Sequence, residues 1–235
     1  MASNNSVLLS IIVPIFNEEK TLKTILEKLS ELKKLGLNFE VIVVNDGSTD
    51  NSLQILKTLN QHYQKLITEE KNRGKGYAVK RGISEANGKY ITFQDADLEY
   101  EPSDLSKFFK MIDKFDPDLV IGSRLNYSNY TRSHNILNKF ANMLITFLFN
   151  IFNNTTFTDI YSCYFCFKKD LIDIDKIKAE GFDQQAEILS KVVKNGKKFY
   201  EVPISYNGRN YQEGKKIKFY HIFGVIYQIL LGKFK

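Results

Sequence analysis

The sequence predicts an α/β fold built on a mostly parallel sheet with helices on both faces. Short aliphatic and β-branched runs alternate with segments of helical periodicity through the first half, the pattern of repeated strand–helix units. Polar and acidic residues gather where those runs end, which is where ligands sit in open α/β sheets. The chain has 235 residues, 43% hydrophobic and 26% charged, enough to bury the core of one such domain.

Taken in order, Leu8 to Ile15 is an apolar run closed by Pro14, and Leu22, Ile25, Leu26, Leu29 and Leu32 follow at helical spacing, with Gly36 as the stop. Phe39 to Val44 reads as a strand ending at Asn45-Asp46-Gly47-Ser48, after which Thr49 and Asp50 are the caps expected for a helix carrying Leu53, Leu56 and Leu59. Lys65-Leu66-Ile67 leads into a helix through Tyr77 to Ala86. Lys89 to Gln94 is a fourth strand, a helix follows near Leu105–Ile112, and Leu119-Val120-Ile121 is a fifth strand. The second half is less regular. Phe140 to Phe152 is apolar and aromatic but broken by Asn142, Thr146 and Asn150. Tyr161 to Phe167 reads as a strand, Ile188, Leu189, Val192 and Val193 mark a helix, and a strand runs into Val202-Pro203. The tail, Ile217 to Leu230, is apolar between Lys215, Lys216 and Lys218 on one side and Lys233 and Lys235 on the other. There is no linker, internal repeat or low-complexity tract.

The net charge of +6 suits nucleotides, phosphates or an anionic membrane surface, and without a basic–aromatic motif it does not argue for nucleic acid. Cys163 and Cys166 form a single C-x-x-C inside the aromatic Tyr161–Phe167 run. With no second pair and three histidines in the whole chain, zinc would lack ligands. They read as buried structural thiols in a reducing compartment. The N-terminus has no secretory signal pattern, and no stretch reaches the ~20 apolar residues that span a bilayer.

Asp95-Ala96-Asp97 is the central chemical feature. Carboxylates at i and i+2 point the same way from extended backbone, so both can face one divalent ion. Mg²⁺ or Mn²⁺ takes such oxygen ligands and shares them with substrate phosphates. Glu99 is the candidate third ligand, giving a predicted metal set of Asp95, Asp97 and Glu99.

Val13-Pro14-Ile15-Phe16-Asn17-Glu18-Glu19, Val43-Val44-Asn45-Asp46-Gly47-Ser48-Thr49-Asp50, Asn72-Arg73-Gly74-Lys75-Gly76 and Gln94-Asp95-Ala96-Asp97-Leu98-Glu99-Tyr100 follow one another in that order. Together with Gly122-Ser123-Arg124, Thr158-Asp159, Gly181-Phe182 and Glu201-Val202-Pro203-Ile204, this succession resembles the family 2 inverting glycosyltransferases, and within them the polyprenyl-phosphate (dolichyl-phosphate) mannose or glucose synthases. The resemblance implies a GT-A, Rossmann-like fold. It implies that Pro14, Phe16, Glu18, Asn45 and Asp46 line the base and ribose pocket, with Asp95 and Ala96 alongside. Asn45 stands where the family usually has an acidic residue, which leaves the nucleotide open between GDP and UDP. Lys75 either approaches the nucleotide or is a plain loop lysine. Arg124, Arg132 and Arg209 are candidates for gripping the acceptor phosphate, because the guanidinium fork fits that geometry. Asp97, Arg124, Gln185 and Arg209 form the expected catalytic group.

Family members that glycosylate a sugar hydroxyl usually carry an acidic base in the Gly181–Glu187 region. Here Gln184 and Gln185 occupy its centre, which fits a lipid phosphate, an acceptor that is already anionic. Asp183 remains the rival base. The resemblance thus implies transfer of a hexose from GDP-mannose or UDP-glucose to a polyprenyl phosphate, with Mg²⁺ or Mn²⁺. The alternatives are a transferase acting on a glycan hydroxyl and, in another class, an inactive nucleotide-sugar or membrane-binding module. The expected layout is a GT-A domain over residues 1–214, its nucleotide-sugar half about 1–125 and its acceptor half about 126–214, followed by a basic amphipathic tail at 215–235. Phe140–Phe152 and Phe219–Leu230 are expected either against a membrane surface or in the core or a dimer contact. The expected location is cytoplasmic and peripheral, on the cytoplasmic face of a membrane, with a membrane-protein partner left open.

Overall fold

The computed structural model describes residues 8–126, 130, 132, 136–209 and 221–234. In chain order the elements are β1 (Leu9–Ile15), α1 (Leu22–Lys33), β2 (Phe39–Asp46), α2 (Ser52–Thr58), β3 (Lys65–Glu69), α3 (Lys75–Ser84), β4 (Tyr90–Phe93), α4 (Leu105–Phe115), β5 (Leu119–Ser123), α5 (Ile136–Asn153), β6 (Phe165–Lys168), α6 (Gln184–Asn195), β7 (Phe199–Pro203) and α7 (His221–Phe234). The strands form one sheet in the order β3-β2-β1-β4-β6-β5-β7. β1 runs parallel to β2 and β4, and β3 runs parallel to β2. β6 is antiparallel to both β4 and β5, and β7 is parallel to β5. The α/β fold with a mostly parallel sheet is therefore the one the sequence predicts.

Each face of the sheet has its own core. Val13, Val43 and Phe108 pack with α1, α2 and α4 on one face. Ile12, Val79, Ile188, Phe149 and Val225 pack with α3, α5, α6 and α7 on the other. The periodicity that predicts α1 is the stripe it buries: Leu22, Ile25, Leu26, Leu29 and Leu32 all face the sheet. Gly36 ends that helix with φ +76°, its N–H donating to the Lys33 carbonyl at 3.0 Å. Just before α2, Asp50 Oδ1 accepts the Ser52 N–H at 2.9 Å, but the cap position is Asn51, which makes no side-chain cap. Thr49 does not join it and is tied to Asn17 instead.

Two predicted elements change. The strand expected over Tyr161–Phe167 is β6, Phe165–Lys168, and it runs against its neighbours. Residues 161–164 therefore lie beyond the carboxyl ends of β4 and β5, at the mouth of the sheet. The tail helix is more than an appendage. Val225 and Ile229 of α7 are fully buried, 0% and 1% exposed, while Phe223 and Tyr227 on its other face are 66% and 60% exposed. Gly232 brings it against Ser190 of α6, where a Cβ would lie 2.6 Å from the serine Cβ. α5 divides in the same way: Ile145 and Phe149 are buried, and Ile136, Phe140, Met143, Phe147 and Ile151 are exposed. Lys215, Lys216, Lys218 and Lys235 lie outside the described residues.

Candidate active site

The carboxyl ends of β1, β2 and β4 lie side by side, since Ile15 pairs with Asn45 and Ile12 with Phe93. Above them opens a cavity of about 470 Å³. The loops that wall it are stitched together by side chains that favour turns. Asn17, at φ +53°, accepts the Thr49 N–H at 2.8 Å, and Ser52 Oγ accepts the Glu18 N–H at 3.0 Å. Gly47 takes φ +63°, where a Cβ would collide with the Lys71 backbone. Asp46 accepts the Arg73 and Gly74 N–H groups at 3.0 and 2.9 Å, which holds the loop leading to α3. Burial raises the Asp46 carboxyl above the usual range, and those two hydrogen bonds oppose the shift.

Pro14, Phe16, Glu18, Asp46, Lys75, Asp95, Ala96, Asp97, Glu99, Arg124, Gln185 and Arg209 all line this cavity. Asn45 and Arg132 do not. Asn45 is 1% exposed and is not on the wall, so its departure from the family pattern is not at the cavity surface. Arg132 braces the segment that carries Arg209: its N–H donates to the Tyr206 carbonyl at 2.9 Å and its guanidinium to the Gly208 carbonyl at 3.1 Å.

Lys75 is a buried ion-pair partner and not a loop lysine. Its Nζ lies 2.6 Å from Asp95 and 3.3 Å from Cys163 Sγ. Burial alone would lower its pKa, but the Asp95 charge outweighs it and raises the value. Cys163 and Cys166 are free thiols. Cys163 departs from the purely structural reading by lining the cavity, although burial pushes its thiol up to about 12 and keeps it protonated.

Arg209 enters the site from far along the chain. Its guanidinium reaches Asp97 at 2.7 Å, Glu99 at 3.1 Å and Glu18 at 3.6 Å. Glu99 also accepts the Tyr206 hydroxyl at 2.8 Å and the Arg209 N–H at 3.1 Å. Among the described residues no group of three or more His, Cys, Asp or Glu side chains is arranged to hold a metal ion, the predicted Asp95, Asp97 and Glu99 set included. Each of the three carboxylates has an internal cation beside it, Lys75 on Asp95 and Arg209 on Asp97 and Glu99. Asp95 and Asp97 nevertheless fit a hard divalent ion in donor chemistry. Burial, followed by the charges of Asp95 and Glu99, pushes the Asp97 carboxyl well above the usual range despite Arg209.

On the acceptor side, Arg124 grips Asp159 as a fork, Nε to Oδ2 at 2.7 Å and NH2 to Oδ1 at 2.9 Å, and also donates to the Tyr161 carbonyl at 3.0 Å. Gln185 is spent as well: its Nε2 donates to the Ile160 and Ser162 carbonyls at 2.8 and 2.6 Å. It clamps α6 to the chain entering β6 and has no amide proton to spare. Asp183 is off the wall, where its Oδ2 accepts from Gln228 of α7 at 3.1 Å. Sequence reasoning did not assign Asn142, Cys163 or Tyr206 to the site, and all three are on the wall. A polar break in an apolar helix was the signal for Asn142. Tyr206 offered none, since its place depends on a loop returning across the sheet.

Residues 10–174 match the family profile described as Glycosyl transferase family 2. The chain belongs to glycosyl transferase family 2. Within it, the chain is similar to the dolichol-phosphate mannosyltransferase of Pyrococcus furiosus, 30% identical over 213 residues that cover 88% of this chain. The match spans only 58% of that relative's length. It is also 36% identical over 130 residues to glycosyltransferase GlyG of Streptococcus pneumoniae, 54% of this chain and 42% of that one. Among solved structures, glucosyl-3-phosphoglycerate synthase from Mycobacterium tuberculosis in complex with Mg²⁺ and uridine diphosphate is similar with a TM-score of 0.70 and 17% identity, covering 96% of this chain and 79% of that one. S. aureus TarS in complex with UDP-GlcNAc is similar with a TM-score of 0.62 and 20% identity, covering 96% and 67%. Family and GT-A fold agree with the reading from sequence.

Proposed function

We propose that this family 2 enzyme moves a hexose from a nucleotide sugar, GDP-mannose or UDP-glucose, to a polyprenyl phosphate with inversion. The observation that carries this reading is the chemistry of the acceptor wall. Between α5, α6 and α7 the described lining is amide and apolar, with Asn142, Ile145, Phe182, Gln184 and Ile222, and it holds no carboxylate. A hydroxyl acceptor needs a base, whereas a phosphate attacks as the anion it already is. Asp183, the rival base, faces α7 instead.

In this reading the nucleotide lies along Pro14, Phe16, Glu18 and Asp46. Asp95 and Asp97 would hold a divalent ion, whose chemistry there would be to neutralise charge on the diphosphate. The acceptor oxygen attacks the anomeric carbon from the face opposite the leaving diphosphate, which gives a β-linked lipid phosphate sugar. Lys75 fixes Asp95, and Arg209 turns from the carboxylates toward phosphate charge as the donor enters. The exposed apolar faces of α5 and α7 support a peripheral seat on a lipid surface, where such an acceptor resides. Among the described residues no helix is long and apolar enough to cross a membrane.

A transfer assay tests this directly: purified protein, Mn²⁺, labelled GDP-mannose and UDP-glucose in parallel, with and without a short polyprenyl phosphate. Label entering the organic phase from one donor, only with lipid and metal, is the expected result. Donor hydrolysis without lipid labelling would point to a hydroxyl acceptor, and no donor consumption would favour a binding module.

A further inference from the structure

Lys75 stands on one of the two carboxylates that fit a divalent ion. Its Nζ lies 2.6 Å from Asp95 Oδ1 and 2.8 Å from Asp95 Oδ2, so one ammonium spans both oxygens of that carboxylate. A third contact runs to Cys163 Sγ at 3.3 Å, which gives each of the three ammonium protons an acceptor. The two side chains are 15% and 14% exposed, so water and salt screen the pair little. The backbone keeps the lysine there. Lys75 opens α3 between Gly74, at φ +104°, and Gly76. A Cβ on Gly74 would lie 2.6 Å from the Glu180 carbonyl oxygen. One on Gly76 would lie 2.6 Å from the Ala179 carbonyl oxygen and 2.9 Å from Gln184 Cβ. The two absent side chains let the 179–180 segment and α6 close on this turn, and the Glu180 carbonyl accepts the Gly76 N–H at 2.8 Å. A turn clamped in this way holds the ammonium at Asp95. Arg209 takes the matching place on Asp97 at 2.7 Å.

A carboxylate already neutralised by an internal cation attracts a divalent ion weakly, and an ammonium and a dication on one carboxylate repel each other. Negative charge from a diphosphate lowers that cost, because it gives both cations a further partner. We propose that Lys75 is an internal counter-ion that sets the order of loading, holding Asp95 against a divalent ion alone and admitting the ion together with the diphosphate. The proposal rests on the reading of the cavity as a nucleotide-sugar site with Asp95 and Asp97 as its metal carboxylates. Lys75 acts on the ion through Asp95, which makes it a positioning residue.

The test is Mn²⁺ titration followed by electron paramagnetic resonance, with no nucleotide, with GDP and with UDP, for the wild type, Lys75→Met and Lys75→Gln. Circular dichroism melting reports that each variant is folded. The wild type should bind Mn²⁺ weakly alone and about tenfold or more tightly with one diphosphate, within the usual range of coupling between two ligands. Lys75→Met removes the charge at similar length, and it should bind Mn²⁺ alone about tenfold more tightly than the wild type and gain less from the diphosphate. Lys75→Gln keeps a donor for Asp95 without the charge and should shift in the same direction, which separates charge from geometry. A wild type that binds Mn²⁺ equally well with and without diphosphate would overturn the proposal while leaving the glycosyltransferase reading intact. So would folded variants whose affinity for Mn²⁺ alone is unchanged or weaker, which would leave Lys75 as a support for Asp95. A wild type that binds neither diphosphate, with or without Mn²⁺, would overturn both.

Discussion

Glu99 and Arg209 are 110 positions apart in sequence, yet two hydrogen bonds join them, Arg209 N–H and Nε each to Glu99 Oε1 at 3.1 Å, and the Asn207 N–H adds one to the Glu99 carbonyl at 2.9 Å. Glu99 is thus a latch for the segment after β7, whereas its spacing from Asp97 suggests a metal ligand. The two roles are separable. Glu99→Gln keeps an acceptor oxygen but loses the charge that faces Arg209. It should lower turnover about tenfold or more, the usual cost of a charge-assisted hydrogen bond, with Mn²⁺ affinity within about twofold of wild type. Mn²⁺ titration by electron paramagnetic resonance beside a kcat measurement decides it, and a large loss of Mn²⁺ affinity would restore Glu99 to the metal set. The motif residues at strand ends were legible here because their spacing is local. The partner of Glu99 was not, since nothing near Glu99 in sequence names Arg209.

At the scale of elements, α5 and α7 show why the choice between core and membrane surface stayed open. A helix apolar on most of its circumference does not tell which stripe is buried until its neighbours are in place. The fold answers with both: Val225 and Ile229 face the core and Phe223 and Tyr227 face out. Deleting the helix would remove two buried side chains, each stabilising by ~1.5–3 kcal/mol, and would confuse unfolding with loss of lipid binding. The paired substitution Phe223→Glu and Tyr227→Glu touches only the exposed face. It should abolish sedimentation with anionic vesicles while shifting Tm by no more than about 2 °C, since surface changes are usually within about 0.5 kcal/mol. Vesicle binding that survives the substitution would remove α7 from the lipid contact. β6 makes the same point for strands: an aromatic run signals a buried strand, but its direction depends on which strands it slots between.

Across the whole molecule, the acceptor half is fastened to the sheet by Arg124 at the end of β5 and Asp159 between α5 and β6. Asp159 is 0% exposed and also accepts from Asn142 at 2.9 Å. Burial raises its carboxyl, but the Arg124 charge and hydrogen bonds outweigh this and hold it below the usual range. A depressed folded-state value means that the pair contributes stability above the unfolded value of about 3.9, lost as pH falls through the lower folded value. Asp159→Asn leaves the buried Arg124 without its counter-charge and should cost about 3 kcal/mol or more at neutral pH. Urea unfolding of both proteins from pH 7 down to pH 3 should show a constant gap above about pH 5 that closes only in the acid range. A gap below about 1 kcal/mol at pH 7 would mean that the pair is not a structural fastening.

The sequence by itself determined the family, the strand–helix order of the first half and the acidic strand end at Asp95 and Asp97, because periodicity, turn chemistry and motif spacing are local properties of the chain. Only the tertiary structure decided that Arg209 pairs with Asp97 and Glu99, that Lys75 is held by Asp95, and that Gln185 spends its amide protons on the Ile160 and Ser162 carbonyls. Adjacent residues on a helix point about 100° apart, so what each of two neighbouring glutamines meets is set by how α6 is rotated against the sheet. That rotation is fixed by Gly76, α7 and the chain entering β6, contacts that form only when segments distant in sequence pack together.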